Sequence, residues 1–272
     1  MTSSVALAQR FTPSGIQYLH AGDGDAGLLV FTHGWRDSAP GWQWVIDELV
    51  RSGAAAGRRI VSVQRKEVGR RDEDTAGLLE DFASQVVEVV RHVQRPQERI
   101  VVVGQSMGGP VAELAATQLS DTLSGLVLVT PAPLAGWPLP ADVVEAFRAD
   151  GRELDRVTAA LSRTRLAIDR SDTTTLRIVI STPPETERAS LQSLASWIGG
   201  HPQGRRPSCV TAPTLVVVTD DTFFPEETLR TEVAGRFADA RVAEVRDAGH
   251  LPHLERPREL AHVMAGFLTT LG

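Results

Sequence analysis

Short apolar runs punctuate the chain, and helical periodicities fill the gaps between them. Leu28 to Thr32, Ile60 to Val63, Ile100 to Val103 and Leu126 to Val129 are rich in Val, Ile and Leu, and most are bounded by Gly, Pro or Asp. Leu215 to Thr219 follows Pro213 in the same style, and Arg241 to Val245 alternates more weakly after it. A strand covered on both faces of a parallel sheet needs apolar side chains on both sides, so it reads as a continuous apolar run. Ahead of these, Phe11 to Ala21 is amphipathic and broken at Pro13-Ser14-Gly15. That pattern predicts a strand hairpin ending in the turn Gly22-Asp23-Gly24-Asp25.

Between the runs, apolar residues recur at three- and four-residue spacing. Leu79, Phe82, Val86, Val89 and Val93 form one such set, and Val111, Leu114, Ala115 and Leu119 another. Leu260, Val263, Met264, Phe267 and Leu271 form a third, with Pro257 suited to its first turn. Strands alternating with helices are βαβ units, which place helices on both faces of a mostly parallel sheet. The alternation lapses from Leu134 to Ser208, after a proline-rich exit at Pro131, Pro133, Pro138 and Pro140. Leu154, Val157 and Leu161 mark one helix there, and Leu191, Leu194 and Ile198, closed by Gly199-Gly200, mark another. Thr173 to Ile180 fits strand or helix. The expected organisation is an α/β core from residues 1–134 and 209–272, with a helical cap inserted at 135–208 over the strand ends.

Composition narrows the partners. A chain of 272 residues with 42% hydrophobic content can bury one large core. Net charge −6 argues against a nucleic-acid face, which needs a basic surplus. No apolar run approaches the ~20 residues that span a bilayer, and Met1 to Ala8 is too short and uncharged for a signal peptide. Cys209 is the single cysteine, leaving no internal disulfide and no cysteine cluster for zinc. A cytoplasmic protein acting on a small molecule, without nucleic acid or membrane as partner, is expected.

Three stretches carry chemistry. Gly104-Gln105-Ser106-Met107-Gly108-Gly109 sits directly after a strand and before a helix. Glycines flanking Ser106 permit a sharp turn that projects its hydroxyl from the sheet, and the helix N-terminus adds N–H groups where an oxyanion forms. Thr32-His33-Gly34-Trp35 closes an earlier strand, so Met107 and Trp35 are the natural backbone donors to that oxyanion, with His33 as a structural histidine bonding nearby backbone. Asp247-Ala248-Gly249-His250 lies just past the last strand. A serine at its free pKa is a poor nucleophile and requires a base, here His250, held by a carboxylate. Asp220 and Asp221 both follow the strand Leu215 to Thr219 and both stand open for that role. Of the remaining histidines, His253 is the nearest rival to His250.

With these residues in place, nearly the whole chain resembles the α/β-hydrolase superfamily, in its capped branch of esterases, C–C hydrolases and cofactor-free haloperoxidases. The resemblance rests on His33-Gly34-Trp35, Gly104 to Gly109, Asp221 with Pro225, and Gly249-His250 followed by Pro257. It implies an α/β-hydrolase fold, Ser106 as nucleophile, His250 as base, Asp221 as its partner, and Trp35 and Met107 as oxyanion donors. Counting back four residues from Pro225, which should open the next helix, favours Asp221 over Asp220. Related epoxide hydrolases and dehalogenases attack with an aspartate at the elbow, so Ser106 implies ester, thioester, lactone or activated-amide cleavage, or vinylogous C–C cleavage. No metal or organic cofactor is implied. A non-hydrolytic cyclase or lyase, or a ligand-binding protein on the same fold, is the alternative.

The chain also departs from the family. Where such hydrolases show an acidic-Arg-Gly-x-Gly-x-Ser run, this one has Gln64-Arg65-Lys66-Glu67-Val68-Gly69-Arg70-Arg71-Asp72. A solvated charged loop is expected there, with Glu67, Asp72 and Glu73 as partners of Arg65, Lys66, Arg70 and Arg71. Trp137, Trp197 and Phe223 are the expected walls of an apolar substrate pocket, beside Trp35 and Phe224.

Overall fold

The computed structural model describes residues 4–149 and 187–271. Strands β1 (Ala8–Phe11), β2 (Gln17–Ala21), β3 (Leu28–Thr32), β4 (Arg59–Val63), β5 (Ile100–Gln105), β6 (Leu123–Val129), β7 (Thr214–Thr219) and β8 (Ala240–Val245) form one eight-stranded sheet. Its order is β1-β2-β4-β3-β5-β6-β7-β8. The β1–β2 and β2–β4 pairs are antiparallel and the remaining pairs parallel. The helices labelled here are α1 (Gln43–Arg51), α2 (Thr75–Val93), α3 (Gly108–Gln118), α4 (Ala141–Ala149), α5 (Glu187–Gly199) and α6 (Pro257–Leu268). The helix expected at Leu154 to Leu161 and the segment Thr173 to Ile180 fall outside the described residues.

Alternation along each strand divides the core in two. Val30, Val61, Val102, Leu128 and Val216 face α2 and α3, while Leu29, Ile60, Val101, Val127 and Leu215 face the side of α1 and α6. Every residue of β3, β4, β5 and β7 is buried, which is why these strands appear as unbroken apolar runs. The edges differ. All four residues of β1 are exposed, and the hairpin begins at Ala8, three residues before the amphipathic pattern starts. β6 begins at Leu123, ahead of the expected Leu126, because Ser124 and Gly125 interrupt its apolar signature.

Helix α5 packs beside α2, and hydrogen bonds tie down its C-terminus. Thr75 Oγ1 donates to the Gly200 carbonyl at 3.0 Å, and the Trp137 N–H reaches the carbonyls of Trp197 (3.2 Å) and Ile198 (3.1 Å). Gly200 ends the helix in a left-handed conformation, with φ 68°. A β carbon there would lie 2.2 Å from the Gly136 nitrogen, so both the dihedral and the close approach demand glycine. Among the described residues no helix is long and apolar enough to cross a membrane.

Gly200→Ala should therefore lower unfolding stability by about 1–3 kcal/mol, the cost of a strained dihedral compounded by a backbone clash. Urea unfolding followed by tryptophan fluorescence measures it, and an unchanged midpoint would contradict the docking described for α5.

Candidate active site

The turn between β5 and α3 is held by its own backbone. Ser106 has φ 52°, and its N–H donates to the Val129 carbonyl at 3.1 Å. The Ser106 carbonyl accepts from Gly109 (2.8 Å) and from Ala132 (2.9 Å). The surrounding glycines are sites of close approach. A β carbon on Gly104 would sit 2.1 Å from the Gly108 carbonyl oxygen, and one on Gly108 would sit 2.6 Å from that of Thr32. Helix α3 thus lies directly over the end of β5, and the turn abuts the loop leaving β3.

Ser106, His250 and Asp221 come together at the C-terminal ends of β5, β8 and β7. Ser106 Oγ and His250 Nε2 are 2.9 Å apart, and His250 Nδ1 and Asp221 Oδ2 are 2.7 Å apart. An ionised carboxylate only accepts, so Nδ1 carries the proton and Nε2 is left to accept from the serine hydroxyl. Burial pushes the Asp221 carboxyl up, but the hydrogen bond and charge of His250, with the Phe223 and Phe224 N–H donors, outweigh it and hold the group below the usual carboxylate value. Those donors are 2.8 Å and 3.3 Å away. Asp220 faces elsewhere. Its oxygens accept from Arg246 Nη1 at 3.2 Å and from the Asp247 N–H at 2.7 Å, organising the turn before His250.

Three residues given no role in the sequence analysis support this loop. Glu255, 4% exposed, accepts from the N–H groups of Gly249 (2.7 Å) and Leu251 (2.9 Å), bracketing His250. Gln105 Nε2 and Thr130 Oγ1 donate to the His250 carbonyl at 2.9 Å and 3.0 Å. His253 does not approach the serine: it is fully buried against Trp42, with Nε2 3.0 Å from Asp37 Oδ2.

The loop after β3 passes beside the serine. A β carbon built on Gly34 would lie 3.2 Å from Ser106 Cβ, which brings the Gly34–Trp35 peptide alongside the Ser106 side chain. Met107, next to Ser106 in sequence, is buried at the N-terminus of α3. His33 is wholly buried, and burial first, then the charge of Arg65, lowers its pKa to about 3. It is a neutral structural histidine. Arg65 is a correction to the expected solvated loop: it is 2% exposed and bonded to the backbone of His33 and Gly34. The rest of that segment is fastened outwardly. Arg70 pairs with Asp74 and Asp81, Glu67 with Arg188, and the Gln192 side chain bonds the backbone of Val68 and Arg70. The expected partners Asp72 and Glu73 are exposed.

Aromatic rings crowd the histidine. Phe223 and Phe224 have ring centroids 5.9 Å and 5.3 Å from His250. Trp197 packs on Phe223 (5.9 Å), Phe224 (6.3 Å) and Trp35 (6.3 Å), and Trp137 packs on Phe224 at 5.5 Å. Trp197 is 4% exposed, so it belongs to the packed core as much as to any wall. A groove of about 350 Å³ lined by Arg205, Arg206, Glu232 and Arg236 shares no residue with this group.

A mostly parallel sheet carrying a serine on a left-handed strand–helix turn defines the class as that of the α/β hydrolases. Residues 29–263 match the model of the alpha/beta hydrolase family, and the chain belongs to that family of hydrolases. It is 24% identical over 266 residues to an sn-1-specific diacylglycerol lipase of Mus musculus, covering 90% of this chain and 83% of the lipase. Among solved structures it superposes on an esterase from Exiguobacterium antarcticum with TM-score 0.75 at 17% identity, over 99% of this chain and 100% of the other. It superposes on the enol-lactonase from Burkholderia xenovorans LB400 with TM-score 0.74, also at 17% identity, over 96% and 100%.

The buried histidine gives a pH prediction. His33 titrates at about 3 in the native state against 6.5 ordinarily, so on acidification the unfolded chain takes up a proton that the folded chain refuses. Stability is full above the ordinary value and falls as pH drops below it, by up to about 1.4 kcal/mol per pH unit from this group. Urea unfolding between neutral and mildly acidic pH should show a shallower decline in His33→Asn than in the parent. Parallel profiles would contradict this.

Proposed function

We propose that the protein is a serine hydrolase that cleaves an ester, thioester or lactone of a small, largely apolar molecule through an acyl-serine intermediate. The observation that carries this reading is the unbroken relay from Asp221 through His250 to Ser106, with contacts of 2.7 Å and 2.9 Å. Ser106 Oγ attacks the acyl carbon as its proton passes to His250 Nε2, and the C=O electrons move onto oxygen. Asp221 stabilises the imidazolium and keeps its proton on Nδ1. The N–H groups of Trp35 and Met107 receive the oxyanion. Collapse breaks the bond to the leaving oxygen or sulfur, which takes the proton from His250. Water, deprotonated by His250, then releases the acid and restores Ser106.

A lipase, an esterase and a lactonase among the similar proteins support ester chemistry. Phe223 and Phe224 beside His250, with Trp137 and Trp197 packed on them and Trp35 on Trp197, support an apolar substrate group, and segment 135–208 enters the proposal as the cap over it. A pure binding protein has no use for a proton relay, which weighs against the ligand-binding alternative.

Turnover of p-nitrophenyl esters and acyl thioesters tests the relay. Ser106→Ala should abolish it, and Asp221→Asn should lower kcat on the order of 10⁴-fold by favouring the wrong imidazole tautomer. Asp220→Asn should cost far less, since that carboxylate only shapes the Asp247 turn. The opposite ranking would remove Asp221 from the mechanism.

A further inference from the structure

Behind the oxyanion loop sits a buried cation. Arg65 Nη1 donates to Thr32 Oγ1 at 2.6 Å and to the His33 carbonyl, and Nη2 donates to the Gly34 carbonyl at 3.1 Å. The Arg65 backbone N–H points at His33 Nε2, 3.3 Å away. A backbone N–H can only donate, so Nε2 holds a lone pair and the proton resides on Nδ1. That Nδ1–H donates to the same Gly34 carbonyl at 2.9 Å. One carbonyl oxygen thus takes two donors, one of them charged.

The consequence lies on the other side of the peptide. In a trans peptide the C=O of one residue and the N–H of the next point in opposite directions. Among the described residues there is no cis peptide, so the Gly34 carbonyl and the Trp35 N–H are opposed. Fixing the carbonyl therefore fixes the N–H. Gly34 lies against Ser106, which puts this peptide where an acyl oxygen on the serine would arrive. A donor helps catalysis only if it is aimed before the charge develops, because reorienting it costs energy at the transition state.

We propose that Arg65 is the positioning residue of the oxyanion site: with His33 it locks the Gly34–Trp35 peptide so that the Trp35 N–H is aimed at the oxygen of the tetrahedral intermediate. This rests on the serine-hydrolase reading and deepens it. Arg65 touches no substrate. A guanidinium suits the task because its rigid fork reaches two consecutive carbonyls and a hydroxyl at once, whereas an ammonium is a single point of attachment.

The test compares Arg65→Met and Arg65→Lys with the parent on one p-nitrophenyl ester, and measures their inhibition by a trifluoromethyl ketone, whose adduct with Ser106 carries the oxyanion. Loss of one aimed donor predicts a fall in kcat on the order of 10²-fold for Arg65→Met with KM nearly unchanged, and a matching loss of ketone affinity. Arg65→Lys, which keeps the buried charge, should fall between and carries the test alone if Arg65→Met does not fold. A purely structural anchor would lower the melting temperature without this split. Folded variants with parental kcat, or a loss lying wholly in KM, would overturn the assignment of Arg65 and leave the hydrolase reading intact. A parent protein that turns over no ester and forms no ketone adduct would overturn both.

Discussion

Ser106 must hold a left-handed backbone that a non-glycine residue adopts only under constraint. Such a conformation costs about 1–3 kcal/mol and survives where neighbours over-determine it. Here the constraint is supplied by the ends of three strands. The N–H of Ser106 is tied to Val129, its carbonyl to Gly109 and Ala132, and the glycines at 104 and 108 let α3 settle onto β5 and the loop after β3. The apolar strands are thus more than a core. Their parallel register brings the ends of β3, β5, β6, β7 and β8 to one edge, where the loops carrying Gly34, Ser106, Asp221 and His250 meet.

Buried charge around the serine is segregated by sign. Asp221 stands behind His250 and accepts from its Nδ1–H, and Glu255 braces the backbone on either side of that ring. Arg65 stands behind the loop that the oxyanion would face, next to a histidine too deeply buried to take a proton at neutral pH. The pair of Asp37 and His253 ties that loop to the turn after His250. Burial raises the Asp37 carboxyl, but the hydrogen bond and charge of His253, with smaller contributions from His33 and the Ser38 N–H, bring it below the usual range. Fixed charges in a poorly hydrated setting act strongly because little water reorganises around them.

The sheet was legible in the sequence because doubly covered strands cannot hide their composition. Leu28 to Thr32 and Leu215 to Thr219 announce themselves, whereas β1, exposed throughout, carries no such signal. The meeting of Ser106 and His250 was legible through glycine spacing and chain order, and the spacing back from Pro225 favoured the carboxylate that faces His250. That spacing works because Asp221 must also accept from Phe223 and Phe224, which sets its distance from the helix that follows. Arg65 was misread for a physical reason. The residues after it, Lys66 and Glu67, are exposed, but its own partners are carbonyls on a loop more than thirty residues earlier, reached through the parallel pairing of β3 and β4. Local charge density says nothing about such contacts. Asp37 escaped notice for the same reason, since its partner His253 lies 216 residues further along the chain, whereas Glu255 bonds locally, to Gly249 and Leu251 just before it.

The proposed mechanism requires Ser106 to be a nucleophile. Reaction of the intact protein with a fluorophosphonate, followed by proteolysis and mass spectrometry, tests this most directly. One adduct per chain is expected, on the peptide containing Ser106, with slower labelling when His250 is replaced by alanine. Absence of an adduct under conditions that label an authentic serine hydrolase, or an adduct on another residue with Ser106 unmodified, would contradict it.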